Sequence, residues 1–386
     1  MTLPMPQEPT RYYIGLMSGT SMDGIDAALV AIRNNTPPEL IATHDEVMPD
    51  ALRRSLLELC HADQTSFAQL AEAETAFCEL QGKAVRKVLS KANMKSEHIT
   101  AIGSHGQTIE HAPYGHGEGP PYTLQLDNPS LLAELTHCTV VADFRRRDLA
   151  AGGQAAPLAP AFHQAVFAAD EKHHLVLNLG GFANITWLAP RDSDIAPLGF
   201  DTGPANALMD AWHAYHHPGE RFDKDGTWAA SGKLDETLLE RLLSEPFFHR
   251  PPPRSTGREV FNMDWLTTHL SGHEAPQDVQ ATLAELTAAS VALGVEMARE
   301  ELAAPPAAAL IVCGGGAHNT HLLARLGRRM PETALVESAD WGWPADWIEA
   351  GAFAWLAHQR LAQLPGNLPS VTGAKGLRVL GGIYSA

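Results

Sequence analysis

The sequence predicts an α/β protein built from two similar halves. Three observations carry this expectation. Residues 13–17 form an apolar run that enters the turn Ser18-Gly-Thr-Ser-Met-Asp-Gly24, and an apolar, β-branched run leaves it over 25–32; this reads as strand, tight turn, strand. The theme recurs over 175–188, where Gly180-Gly181 divides two apolar runs. Finally, 386 residues that are 45% hydrophobic suffice for two cores, and each hairpin is followed by mixed strand and helix patterns. The repeat is one of pattern, not of identical residues.

Taken in order, residues 1–11 are polar and proline-containing and read as a short disordered lead without a secretory signal. Residues 49–92 are helical by spacing: Leu52, Leu56, Leu57 and Cys60 trace one face, and Leu70, Ala73, Phe77 and Leu80 another. A short strand is expected over 99–103, ending at the polar Ser104-His-Gly-Gln-Thr108, with a Gly/Pro-rich loop over 111–121. Residues 139–142 read as a buried strand that stops at Asp143-Phe-Arg-Arg-Arg-Asp148, and 149–160 as a crossing between domains. After the second hairpin, Gly199-Phe-Asp-Thr-Gly-Pro-Ala-Asn206 ends a strand and opens a helix through Trp212. Asp201 or Thr202 can cap that helix, and Pro204 suits its first turn. Residues 247–256 read as an insertion or long loop, with Phe247 and Phe248 candidates for a surface patch. A helix is expected over 281–304, and a buried strand over 309–313 running into Gly314-Gly-Gly316, with a further helix from near Thr320. A mostly apolar helix over 347–361 carries Glu349.

Composition narrows the function classes. The formal net charge is −17, so a backbone-tracking nucleic-acid binder is not expected. An acidic protein that binds phosphates needs local devices: backbone amides, a few arginines and a metal ion. Cys60, Cys78, Cys138 and Cys313 show no CxxC spacing, which argues against a disulfide framework or structural zinc and suits a reducing cytoplasm. No apolar run approaches membrane-spanning length. The nineteen histidines lack HExxH spacing and read mostly as surface residues, with His105, His111 and His116 in one loop-like region.

The motifs exclude several nucleotide folds. Gly82-Lys83 and Gly232-Lys233 are followed by Ala and Leu, so no Walker A motif exists; GxGxxG after a strand and GxSxG are also missing. What remains is three glycine-rich turns at strand ends: 19–24, Gly180-Gly181, and 314–316. Each alone reads rather as an ordinary turn. Together with the turn at Asp201 they point to one nucleotide gripped from two domains. The first two turns would offer backbone amides to phosphates, with Thr20 and Ser21 as further donors. The third would lie against the flat base and ribose, where no side chain intervenes.

These motifs resemble anhydro-N-acetylmuramic acid kinase. The resemblance is carried by 17–26, Gly103-Ser-His-Gly-Gln-Thr108, Asp143-Phe-Arg145, 177–186, 199–206, Cys313-Gly-Gly-Gly-Ala-His-Asn319 and Val371-Thr-Gly-Ala374. It implies the two-domain actin-like/ribonuclease H-like ATPase fold of the sugar kinase/Hsp70/actin superfamily, with duplicated mixed sheets and a central cleft. The implied domains are 1–143 with 345–386, and 144–344. The implied ligands are ATP, Mg2+ and 1,6-anhydro-N-acetylmuramic acid, in a cytoplasmic homodimer serving cell-wall recycling, with no nucleic acid or membrane partner.

Residue by residue, the resemblance implies nucleotide contacts from Gly19, Thr20, Ser21, Met22, Asp23, Gly24, Ile25, Asp26, Gly180, Gly181, Asn184, Gly314, Gly315, Gly316 and Asn319. Asp201 is the expected general base, activating water for attack on C1 while O6 passes to the γ-phosphorus; its other reading is a helix cap. Asp23 and Asp26 are candidates to hold Mg2+ through water, or else a turn-stabilising Asx contact and a solvated strand end. Arg145 is expected on the substrate carboxylate, or as a surface member of its arginine run. Glu349 is expected as a buried carboxylate that accepts a substrate hydrogen or pairs internally. Ser104, His105 and Gln107 are expected to reach the sugar, His105 otherwise being structural. The sequence departs from the family at Gly152-Gly-Gln-Ala-Ala-Pro157, where Ala155 replaces the usual glycine and implies a backbone without obligate positive φ. The competing readings are a kinase of another amino sugar and a catalytically silent nucleotide-dependent regulator.

Overall fold

A computed structural model describes residues 9–386 apart from Thr20, Asn34, Asn35, Asp63, Glu118 and Pro253. The N-terminal lead and the Thr20 donor therefore lie largely or wholly outside the described residues. The chain forms two compact units, Met1–Val166 with Trp347–Ala386, and Phe167–Asp346.

The strands of the first unit are β1 Arg11–Ser18, β2 Gly24–Ile32, β3 Glu39–Val47, β4 Ile99–Ala112, β5 Tyr122–Leu126 and β6 Val140–Ala142. The second unit holds β7 His174–Leu179, β8 Phe182–Leu188, β9 Leu198–Pro204, β10 Ala309–Cys313 and β11 Ala334–Glu337, and β12 Gly382–Tyr384 returns to the first. In the first sheet the order is β3-β2-β1-β4-β6-β12, with β5 beside β4. β1, β2 and β3 form an antiparallel meander, and β4 and β6 run parallel to β1. In the second sheet the order is β9-β8-β7-β10-β11, again an antiparallel meander followed by two parallel strands. The five strands β3-β2-β1-β4-β6 thus match β9-β8-β7-β10-β11 in order and polarity, with β5 and β12 added to the first sheet. This is the duplicated mixed-sheet core of the actin-like fold that the sequence implies.

Central strands in such sheets are covered on both faces, and β1 shows it: Tyr13, Ile14, Gly15 and Leu16 are all buried. On one side Ile14 and Leu16 share a core with Phe77 and Val85 of helix Phe67–Lys91, which starts at a Ser66/Gln69 capping box. On the other side helix Ile348–Leu361 lies so close that a Cβ on Gly15 would strike the Ala350 carbonyl, and one on Gly103 the Phe353 carbonyl. Glycine at both positions is therefore a packing requirement.

The boundary between units falls after Val166, not near 143. Asp148 explains this: it is fully buried and accepts hydrogen bonds from Ala155 N, Asn367 Nδ2 and Thr372 Oγ1, tying 148–155 to the C-terminal segment of the same unit. β4 is a 14-residue strand that takes in the polar SHGQT segment and His111. His105, His163, His174, His213 and His358 are buried, so the histidines are not mainly superficial. Helix Pro276–Glu301 is long and apolar enough to cross a membrane, contrary to the sequence reading, but 78% of its apolar window is buried within the second unit. Phe247 and Phe248 are core residues at 2% and 0% exposure, packed with Phe261, and form no surface patch.

Candidate active site

In the first unit the β1–β2 hairpin is closed by Met22 N donating to the Gly19 carbonyl (3.2 Å). Among the described residues of this turn the left-handed one is Met22, φ 54°, and not a glycine. Burial of the Met22 side chain offsets the cost of that conformation. Gly24 is required for another reason: a Cβ there would sit 2.6 Å from the Glu46 carbonyl oxygen of the neighbouring strand. Ser18 Oγ lies 2.9 Å from the Gly24 carbonyl and 2.7 Å from Gln107 Oε1, so the hairpin is pinned to β4. Ser21 and Asp23 are exposed on the turn, Ile25 is buried, and Asp26 is half-buried on β2.

Ser104 and Gln107 are fully buried. Ser104 accepts from Gln81 Nε2 at 2.8 Å, and Gln107 faces Ser18. Both side chains are thus engaged by protein partners, which pin β4 to the helix and the hairpin beside it. His105 is also buried. Its Nδ1 donates to the Gly106 carbonyl (2.9 Å), which leaves Nε2 to accept from Arg145 Nε and Nη2 at 3.1 and 2.9 Å. Burial, reinforced by the Arg145 charge, holds its pKa well below the usual histidine range, so the ring is neutral. His105 is thus a positioning residue for Arg145.

Arg145 also donates from Nη1 to the Ala155 carbonyl at 2.7 Å. Burial lowers its pKa to about 10, while the nearby Glu349 carboxylate pulls it up. Glu349, in the first turn of its helix, keeps exposed surface although Ile348 and Ala350 are buried, while protein atoms still crowd its carboxyl group. Desolvation still raises its pKa, against the pull of Arg145. Ala155 differs from expectation as well: it is buried with φ 61°, in the left-handed region. Its carbonyl fixes Arg145, which is where the strain is put to use.

In the second unit Asp201 lies on β9, two strands from β7, and pairs with Asn184 of β8, which pairs with Asn178 of β7. Cross-strand partners share a face, so Asn184 stands beside Asp201. The helix-cap reading of Asp201 fails, because the strand continues to Pro204 and the helix starts at Asn206 without a side-chain cap. Thr202 instead donates to the Ala183 carbonyl. Asp201 is held by the loop over 247–256. Its Oδ2 accepts from Thr256 N (2.9 Å), its N–H donates to the Arg254 carbonyl (3.1 Å), and its carbonyl accepts from Arg254 Nε (3.0 Å). Arg254 also donates from Nη1 to the carbonyls of Phe247, Phe248 and Arg250, with its guanidinium over the Phe200 and Phe247 rings. Burial raises the Asp201 pKa to about 6, against the Thr256 hydrogen bond and the Arg254 charge. Arg254 was missed from sequence because the signal is a single arginine in a proline-rich loop.

The Gly180-Gly181 turn directs its carbonyls inward. Gly180 accepts from Asn206 N and Nδ2, and Gly181 from the amides of Ala205 and Ala207, so neither oxygen repels an anion. In the third turn Gly314 (φ 77°) and Gly316 are needed for packing on Leu179, whereas a Cβ on Gly315 would meet nothing within 4 Å. Gly315 and Asn319 border a cavity of about 420 Å³ within this unit. Asn319 Oδ1 caps helix Thr320–Arg329 through Leu322 N, so only its amide group is left for a ligand.

The family model of anhydro-N-acetylmuramic acid kinase matches residues 11–386. A protein of that name from Chromohalobacter salexigens is 61% identical over 97% of this chain and 99% of its own length. One from Pseudomonas syringae pv. tomato is 50% identical over 97% and 99%, and one from Coxiella burnetii 48% identical over 97% and 98%. Among solved structures, a ROK family glucokinase from Streptomyces griseus covers 90% of this chain and 99% of its own at 12% identity and a TM-score of 0.38. With both sheets, the glycine turns and the buttressed aspartate falling inside a match of that length, the chain belongs to the anhydro-N-acetylmuramic acid kinase family.

Proposed function

We propose that the protein uses ATP and water to convert 1,6-anhydro-N-acetylmuramic acid into N-acetylmuramic acid 6-phosphate and ADP, a step in cell-wall recycling. The observation that carries this reading is Asp201, a carboxylate made basic by burial and locked by Arg254 and Thr256 on one edge of a nucleotide-type sheet. In a glycosidase a second carboxylic acid protonates the departing oxygen. Here O6 passes to phosphorus, so one base suffices. Water loses its proton to Asp201 as its oxygen bonds to C1; the C1–O6 bond breaks, O6 bonds to the γ-phosphorus, and the bond to the β-phosphate oxygen breaks to leave ADP. A pKa of about 6 keeps Asp201 ionised at neutral pH yet basic enough to accept the proton.

The remaining roles follow from local chemistry. The amides of the hairpin at 19–24 and of Gly180-Gly181 are assigned to phosphates, and Gly315 to close approach of the ribose or base. Arg145, fixed by His105 and Ala155, offers a guanidinium suited to the lactyl carboxylate, and Glu349 an acceptor for a sugar hydroxyl or acetamido N–H. Among the described residues no group of three His, Cys, Asp or Glu is arranged to hold a metal. Asp23 and Asp26 therefore suit a Mg2+ ion held mainly by phosphate and water, which would neutralise charge on the phosphates. Asp201→Asn tests the central assignment. It is expected to lower kcat by about 10³-fold, in the range for loss of a general base. A folded variant that retains substantial turnover rules Asp201 out as the base.

A further inference from the structure

One buried side chain of the second unit has no role in the chemistry above. Gln280, on helix Pro276–Glu301, is fully buried, and neither its Oε1 nor its Nε2 has a hydrogen-bond partner. Buried amides are nearly always paired because leaving both ends unpaired costs more than replacing them with an apolar group. Gln280 lines the cavity that Gly315 borders. We infer that Gln280 reads the hydrogen-bonding edge of adenine in this cavity and is a specificity-determining residue for the nucleotide; the inference rests on the ATP-dependent reading proposed above.

Three features of the cavity favour a base over the other parts of a nucleotide. Its volume of about 420 Å³ suits a base with part of its ribose, and Met209 and Phe222 supply apolar wall for a ring. The charged lining is Asp223 and Asp225 against one lysine, Lys224, with Asp210 partly neutral because burial raises its pKa to about 7; with no excess of positive charge it disfavours phosphate and tolerates a neutral ring. Asn206 and Asn319, the other amides of the lining, already serve the protein, Asn206 on the Leu179 and Gly180 carbonyls and Asn319 as a helix cap. Gln280 alone among these three has both ends available. An amide offers one acceptor beside one donor. Adenine presents the complement, its 6-amino donor beside a ring-nitrogen acceptor, whereas the corresponding N7/O6 edge of guanine presents two acceptors.

The test is a double-mutant cycle on binding, with the nucleotide as one partner. Dissociation constants are measured by titration calorimetry for wild type and Gln280→Met, each with ATP and with purine riboside triphosphate, which lacks the 6-amino group. The inference predicts that wild type binds ATP about tenfold more tightly than the analogue, and that Gln280→Met binds both alike. It also predicts that nucleotide-free Gln280→Met melts no lower than wild type, since an unpaired amide has been removed. Equal binding of both nucleotides by wild type overturns the inference without recourse to the variant. Equal discrimination by both proteins overturns it too. Wild type that binds neither nucleotide overturns the ATP reading together with this one, and so separates the two failures.

Discussion

Asp201 is ionised at neutral pH at a cost to the folded state. Its folded pKa of about 6 lies above the ordinary aspartate value, so between those two values the native protein holds a proton that the unfolded chain has released. Stability from this group is present at low pH and lost as pH rises through about 6. Asp201→Asn is therefore expected to unfold at higher denaturant than wild type at pH 7, by on the order of 1–2 kcal/mol, with the difference shrinking below pH 4. Catalysis has the opposite dependence: kcat/KM should rise with pH through about 6 as the base ionises. Because the Arg254 charge lowers the Asp201 pKa, Arg254→Gln should move that acid limb to higher pH, a shift a merely structural arginine would not cause. A second residue-scale prediction concerns Ala155. Its left-handed backbone predicts that Ala155→Gly stabilises the protein by about 1 kcal/mol in chemical denaturation, less the extra entropy of an unfolded glycine.

Among the elements, helix Ile348–Leu361 transmits sheet geometry to the site. It rests on Gly15 of β1 and Gly103 of β4, and it carries Glu349 in its first turn. Gly103→Ala should push this helix off the sheet and displace Glu349 relative to Arg145. The expected outcome is a KM for the sugar raised at least tenfold alongside a lower melting temperature. Both strand–turn–strand hairpins and the triple-glycine turn were legible in the sequence because apolar runs broken by glycine specify them locally. That β4 runs on through Ser104 and Gln107 and buries both was not legible, because nothing local marks the continuation. Arg254 and Gln280 were invisible for a related reason. Their meaning lies in partners, or the lack of them, more than 50 residues away or across a cavity. Ala155 shows the limit from the other side, since its strain is set by Asp148 and Arg145, not by its own sequence.

For the whole molecule, two sheets of the same order give the same device twice: a hairpin at the end of the first strand, aimed by the strands beside it. Duplication explains why two glycine turns with unrelated residues are assigned one task. The net charge of −17 adds a constraint on both anionic substrates. On the proposed assignments, recognition rests on amides and on Arg145 against an unfavourable overall field. Raising salt from about 20 to about 200 mM screens that field, so kcat/KM for ATP should stay level or rise, where a site steered by positive charge would lose rate. Water directed to C1 by one aspartate while O6 takes the phosphoryl group leaves an isotopic record in turnover of ATP and the anhydro sugar in ¹⁸O-water, sampled within minutes. The expected product carries ¹⁸O on C1 and an unlabelled phosphate on O6; label in the phosphate, or phosphorylated sugar with its anhydro bridge intact, rules the coupled reaction out.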